Sequence, residues 1–127
     1  MSVSAELPLA GIKIVDFTQV MMGPVATQML ADLGADVIKV EPPRGDMLRA
    51  TGPGGRAGAG PLFLHLNRNK RSIVLDLKKP AGKEALLKLV EGADALVYNV
   101  RPQAMKRLGL DYETVRQVLQ QTGSSRG

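Results

Sequence analysis

The sequence has no cysteine and no tryptophan, and it carries one histidine, two phenylalanines and two tyrosines in 127 residues. Without cysteine there is neither a disulfide framework nor a thiolate metal site. His65 alone makes a histidine-based metal site a poor fit, so no metal is expected. The scarcity of aromatics argues against the stacking platforms that hold single-stranded nucleic acid. No run approaches the roughly twenty apolar residues of a membrane span. The opening MSVSAELPLAG lacks the basic and apolar regions of a signal peptide. The expectation is a soluble cytoplasmic protein that engages neither membrane nor nucleic acid.

What is present is positive charge. Seventeen Lys and Arg face twelve Asp and Glu, a formal balance of +5. That balance suits an anionic partner. The length fits one domain or part of one, able to cover about two thirds of the surface of its unfolded chain.

Residues 12–41 read as strand, helix, strand. Ile12, Ile14 and Val15 are β-branched, as strands favour. After the Gly23-Pro24 turn, Val25, Met29, Leu30 and Leu33 share a helical face. Gly34 stops that helix, and DVIKVE is a second strand. Such a βαβ unit is expected to be right-handed with parallel strands. Ligands in these sheets bind at the carboxyl ends of the strands, here residues 17–24 and those just after Glu41.

Residues 42–60 are dense in Gly and Pro and read as a long loop. Residues 61–66 suggest a turn or two of helix. Residues 67–71 read as a basic loop, and 72–76 as a third strand. Pro80 opens a helix whose buried face is Ala85, Leu86, Leu89 and Val90, with Gly92 as its stop. Residues 93–99 form a fourth strand. Pro102 opens a short helix ending at Arg107, and Asp111 caps a last helix over 112–121, with Val115 and Leu119 on one face. The predicted class is α/β, a mostly parallel sheet with flanking helices. Residues 1–10 are an arm, 11–120 the domain and 121–127 a disordered tail.

The GxGxxG fingerprint is absent from the first turn, where only Gly23 stands, so a nicotinamide dinucleotide site is not expected. A helix N-terminus that can face an anion remains, as does a plain turn. The Gly-rich stretch lacks the Gly-Lys-Ser/Thr ending of a phosphate loop and reads as a surface loop or lid. Asp16 and Asp76 stand at strand ends, as acceptors or as turn caps. Lys78, Lys79, Arg101, Lys106 and Arg107 follow strands three and four, whereas Lys70 and Arg71 precede strand three. In a parallel sheet the post-strand cations converge on one edge, either around a polyphosphate or as a solvated basic surface.

Four blocks, LPLAGIKIVDFTQVMMGP, ADLGADVIKVEPPRGDMLR, LNRNKRSIVLDLKKPAGKEALLKLV and ADALVYNVRPQAMKRLGLDYE, together resemble the family III CoA-transferases. That group includes formyl-CoA transferase, carnitine CoA-transferase and α-methylacyl-CoA racemase. The resemblance implies an enzyme of acyl-CoA metabolism, moving coenzyme A between carboxylic acids. It implies interlocked homodimers, a dimerisation doubtful for so short a chain, and a Rossmann-like large domain of which this chain is the N-terminal, CoA-binding portion. No covalent cofactor is implied; acyl-CoA is a substrate. Carried over by position, the CoA pocket comprises Val20, Met21 and Met22, Leu75, Asp76, Leu77 and Lys78, and Asn99, Val100 and Arg101, with Arg107 on phosphate. Formyl-CoA transferases have a Gln at the position of Met21 and an Arg at that of Pro42, where Arg44 can substitute. The aspartate that attacks the acyl-CoA in the family lies beyond the matched stretch. The expectation is therefore a truncated chain without turnover of its own. A non-catalytic CoA- or nucleotide-binding fragment, or part of a racemase, are the alternatives.

Overall fold

The computed structural model describes residues 7–53 and 58–124. Four strands, β1 (Lys13–Phe17), β2 (Asp36–Glu41), β3 (Lys70–Val74) and β4 (Ala95–Tyr98), form one sheet in the order β3-β2-β1-β4. Every pairing is parallel, with Ile14 beside both Val37 and Ala95, and Val15 beside Ile38 and Leu96. The expected α/β class and parallel sheet are what the chain forms. Among the described residues five α-helices flank the sheet: α1 (Met22–Asp32), α2 (Pro61–Leu66), α3 (Pro80–Glu91), α4 (Pro102–Arg107) and α5 (Tyr112–Ser124).

The two faces of the sheet are built differently. On one, Val15, Phe17 and Val40 pack with Leu86 and Val90 of α3, Met105 of α4 and Val115 of α5 in an apolar core. On the other, only the amino half is apolar, where Ile14 and Val37 meet Ala31 and Ala35. The carboxyl half of that face presents Asp16, Lys39 and Glu41, each at most 2% exposed. Leu48, Phe63 and Leu66 close over this half with Val25.

Several local expectations are revised. The buried face of α1 is Pro24, Thr27, Gln28 and Ala31. Met29 and Leu33 are 60% and 45% exposed. The helix sits over the ionic half of the sheet, so its inward face needs small and polar groups. Strand β3 begins at Lys70, two residues before the expected start, because Lys70 and Arg71 pair with Val37 and Ile38. Residues 42–60 are not a featureless loop. Met47–Ala50 form a 3-10 helix capped by Asp46, whose side chain accepts from the Leu48 amide, and Leu48 is buried. Residues 54–57 lie outside the described residues. Helix α5 continues past Gln121 to Ser124, while the remainder of the expected tail, 125–127, lies outside the described residues. Of the expected arm, residues 1–6 lie outside them, and Leu9 donates its amide to Leu33 O at 3.0 Å.

Candidate functional site at the carboxyl edge of the sheet

The chain leaves β1 for α1 on the ionic face and leaves β4 for α4 on the apolar face. β1 and β4 are neighbours, so the chain diverges between their carboxyl ends, and a crevice forms where strand order reverses. Four segments meet at this edge: residues 17–23, 42–46, 75–79 and 99–101.

A cleft there has a volume of about 310 Å³ and is lined by Phe17, Gln19, Pro42, Pro43, Arg44, Leu75, Asp76, Leu77, Lys78 and Leu108. Its floor is apolar. Its cations are Arg44 and Lys78, both exposed. An apolar floor with a few polar groups at the rim is the usual make-up of a small-molecule site. Asp76 caps its own turn: its carboxylate accepts from the Lys78 amide at 3.1 Å and its carbonyl from the Lys79 amide at 3.1 Å. The Lys78 backbone is thereby set before α3 begins at Pro80. Gly82 makes this possible, since a Cβ there would lie 2.0 Å from Asp76 O.

The sequence-derived residues divide between this cleft and its neighbourhood. Leu75, Asp76, Leu77 and Lys78 line it. Val20, Met21 and Met22 form the adjacent turn and are 40%, 47% and 84% exposed. Asn99 reaches back to that turn, accepting from Gln19 N at 3.0 Å and donating to Gln19 O at 2.8 Å. Val100 packs against the apolar core. Arg101 stands just before α4 and Arg107 is its last residue; both are exposed and outside the cleft lining. Arg44, named from the sequence as a substitute for the family's Arg at Pro42, lines it, as does Gln19, which the resemblance did not supply.

Val20 has φ 71°, a conformation a β-branched residue rarely adopts and one that costs about 1–3 kcal/mol. Beside it Gly23 is close-packed: a Cβ there would lie 2.5 Å from Thr18 Cβ and 3.1 Å from Asn99 Nδ2. The first turn of α1 thus rests directly on the end of β1.

Beneath this edge lies a buried ionic network that the sequence reading did not foresee. Lys70 Nζ is 2.9 Å from Asp16 Oδ2, and Lys39 Nζ is 3.0 Å from Asp46 Oδ2. Lys39 also donates to Thr18 O at 2.9 Å. Asp16 accepts from Thr18 N at 3.0 Å, from Thr27 Oγ1 at 2.7 Å and from the Thr18 hydroxyl. Arg49 grips Glu41 with two bonds of 2.7 Å while lying 3.8 Å from the centre of the Phe63 ring. Ser72 Oγ and Asp46 N also donate to Glu41. Burial works to raise the Glu41 pKa, but the Arg49 guanidinium and these donors outweigh it and pull it down to about 2. Burial pushes the Lys70 ammonium below its ordinary value, against the pull of Asp16. A signal for the network does exist in the sequence: Asp16, Lys39 and Glu41 sit inside otherwise apolar strands, where buried charge demands a partner.

Among the described residues no cluster of His, Asp and Glu is placed to hold a metal ion, and no helix is long and apolar enough to cross a membrane.

Known proteins resemble this chain in sequence and fold. A family model described as CoA-transferase family III matches residues 9–121. The chain is 43% identical over 113 residues to the succinyl-CoA:mesaconate CoA-transferase of Haloarcula hispanica, covering 86% of this chain and 28% of that protein. It is 45% identical over 116 residues to the succinate–glutarate CoA-transferase of Agrobacterium fabrum, covering 86% and 29%. The crystal structure of a CAIB/BAIF family protein from Brucella suis superposes with a TM-score of 0.83 at 39% identity, over 87% of this chain and 30% of that one. The chain thus spans less than a third of the length of these relatives. With the match running from before β1 into α5, the chain belongs to CoA-transferase family III.

Proposed function

We propose that this chain is the CoA-binding portion of a cytoplasmic enzyme of acyl-CoA metabolism that transfers coenzyme A between carboxylic acids. In this reading its sheet is part of a Rossmann-like domain, and the carboxyl-edge cleft receives the nucleotide end of CoA. One observation carries it: Arg44 and Lys78 stand at the rim of a cleft floored by Phe17, Leu75, Leu77 and Leu108. An adenine ring suits that floor, and paired cations suit phosphate, with the guanidinium able to hold it bidentately. Arg101 and Arg107, further along the same edge, supply positive potential for the remaining phosphates. Val20, Met21 and Met22 then wall the pantetheine and thioester end with adaptable apolar surface.

The acyl transfer itself is assigned to an aspartate outside these residues, through an aspartyl-CoA thioester. Met21 offers no donor to an oxalate oxygen, which argues for acids other than oxalate. Pairing of two copies, as the family resemblance implies, belongs to the same proposal.

Titrating CoA into the chain tests the reading. Saturable heat is expected, weakened roughly tenfold by Arg44→Ala or Lys78→Ala, since each removes a charged hydrogen bond to phosphate. Equal affinity in both variants would move the nucleotide elsewhere.

A further inference from the structure

Asn99 stands one residue beyond the end of β4. The main-chain pairing of β1 with β4 runs through Phe17 and Tyr98 and then stops, because the two chains part to opposite faces. The Asn99 side chain continues it. Its Oδ1 accepts from Gln19 N at 3.0 Å, and its Nδ2 donates to Gln19 O at 2.8 Å. A primary amide carries the same donor and acceptor as a peptide group, so it supplies one further rung in place of a strand. On the other flank Lys39 holds Thr18 O, and Asp16 holds Thr18 N.

Thr18 and Gln19 are thus fixed from both sides, and the reversal of direction falls on Val20 at φ 71°. Strain of this kind persists where its surroundings leave no alternative. The two flanks are unequal. The Lys39 and Asp16 side is buried, whereas the Asn99 bonds are exposed. The exposed brace is therefore the one that can be removed without opening the core. Directly after the strained residue come Met21 and Met22, which project to solvent.

We propose that Asn99 is a positioning residue: it fixes Gln19 so that the left-handed turn at Val20 presents Val20, Met21 and Met22 as a preformed apolar wall, and it acts on the ligand through that turn. The inference rests on the CoA reading above and adds that the wall exists before the ligand arrives. With Oδ1 and one N–H already spent on Gln19, little of the amide is left for a ligand, which separates this role from direct contact.

The experiment compares the 127-residue chain with Asn99→Ala and Asn99→Asp, using thermal unfolding, NMR and calorimetry with CoA. The unaltered chain is expected to show a strong intraresidue amide–Hα NOE at Val20, the mark of a left-handed residue, and slow exchange at the Gln19 amide. Asn99→Ala is expected to lose both and to bind CoA roughly tenfold more weakly, because ordering the turn is then charged to binding. Its unfolding temperature should be nearly unchanged, since the residue is exposed. Asn99→Asp keeps the acceptor and loses the donor, and should fall between the two. Val20→Gly, which adopts the left-handed backbone more readily than alanine, should bind CoA more tightly than Val20→Ala, although both remove the side chain.

An Asn99→Ala chain that keeps the NOE and the slow exchange overturns the inference. So does one that loses the turn and binds CoA as tightly as before. Absence of heat in the unaltered chain sinks the CoA reading and with it the wall for CoA. Heat in the unaltered chain with equal heat in Asn99→Ala sinks this inference alone.

Discussion

Lys70 Nζ lies 2.9 Å from Asp16 Oδ2, and both side chains are at most 1% exposed. The pair joins β3 to β1 across the top of β2, under the turn that begins the candidate site. Lys70 also donates to Pro24 O at 3.0 Å and to Asn67 Oδ1 at 2.8 Å. One ammonium thereby ties a strand, a helix N-terminus and a loop together. Removing one partner of a buried pair leaves the other charge uncompensated, which costs about 3–5 kcal/mol. Lys70→Met is expected to lose stability of that order in urea unfolding. Lys70→Met combined with Asp16→Asn should recover part of it, because the stranded charge is gone. Additive losses would show that the two groups are not coupled.

The Glu41 carboxylate gives the chain an acid-sensitive stability. Its folded pKa is held down to about 2, against 4.5 for a free glutamate, so the ionised form is favoured in the folded state. That contribution is fully present above about pH 5 and drains away as pH falls toward 2, an effect of order 1–3 kcal/mol. Urea midpoints measured between pH 6 and pH 2 should fall across this window. Glu41→Gln should flatten the slope at the cost of lower stability at neutral pH. A Glu41→Gln chain with an unchanged acid slope would place the sensitivity in another carboxylate.

Arg49 holds the base of the Gly-rich segment by three means: the two-bond grip on Glu41, its approach to Phe63, and a donation to Gly58 O at 3.1 Å. Arg49→Ala is expected to lose about 2–4 kcal/mol by leaving a buried carboxylate unpaired. Arg49→Lys should recover little, because an ammonium can reproduce neither the fork nor the ring contact. Full rescue by lysine would reduce the role of Arg49 to its charge.

Gly82 is where α3 meets the Asp76 turn. A Cβ at this position would lie 2.0 Å from Asp76 O and 2.6 Å from Asp76 C. These are backbone atoms, so the turn itself must shift. Gly82→Ala is expected to cost about 1–3 kcal/mol by overpacking and to weaken CoA binding by displacing Lys78. A variant with lowered stability and unaltered affinity would separate the turn from the site.

Much of this was legible in the sequence. The strand and helix order follows from β-branched runs, proline starts and glycine stops, and Pro80 and Pro102 mark the first residues of α3 and α4. The convergence of residues 17–23, 42–46, 75–79 and 99–101 followed from parallel strands alone. What periodicity missed has a common cause. Lys70 reads as loop because two consecutive cations opening an edge strand give no strand pattern, and Asp16, the partner that buries its side chain, lies 54 positions away in sequence. The expected inward face of α1 holds at Val25 and Leu30, which pack against buried clusters, and fails at Met29 and Leu33, which are exposed, while Thr27 and Gln28 turn inward instead. A Gly-rich segment gave no periodic sign of the 3-10 helix at Met47–Ala50, which is held by Asp46 and Leu48 through tertiary contact. At the carboxyl edge, the family resemblance names Leu75 to Lys78, and these four residues line the cleft. Position gave no sign that Gln19 lines the cleft, or that both ends of the Asn99 amide are taken by Gln19.

The central claim is that CoA occupies the carboxyl edge of the sheet, and mapping amide shifts by NMR as CoA is added tests it most directly. The opposite, amino edge is a fair competitor, since Lys13, Arg71 and Lys88 flank a second cleft there of about 190 Å³. Saturable shifts are expected at residues 17–22, 42–44, 75–78 and 99–101, with the amino edge silent. Shifts centred on Lys13, Arg71 and Lys88, or no saturable shift in a folded chain, would contradict it.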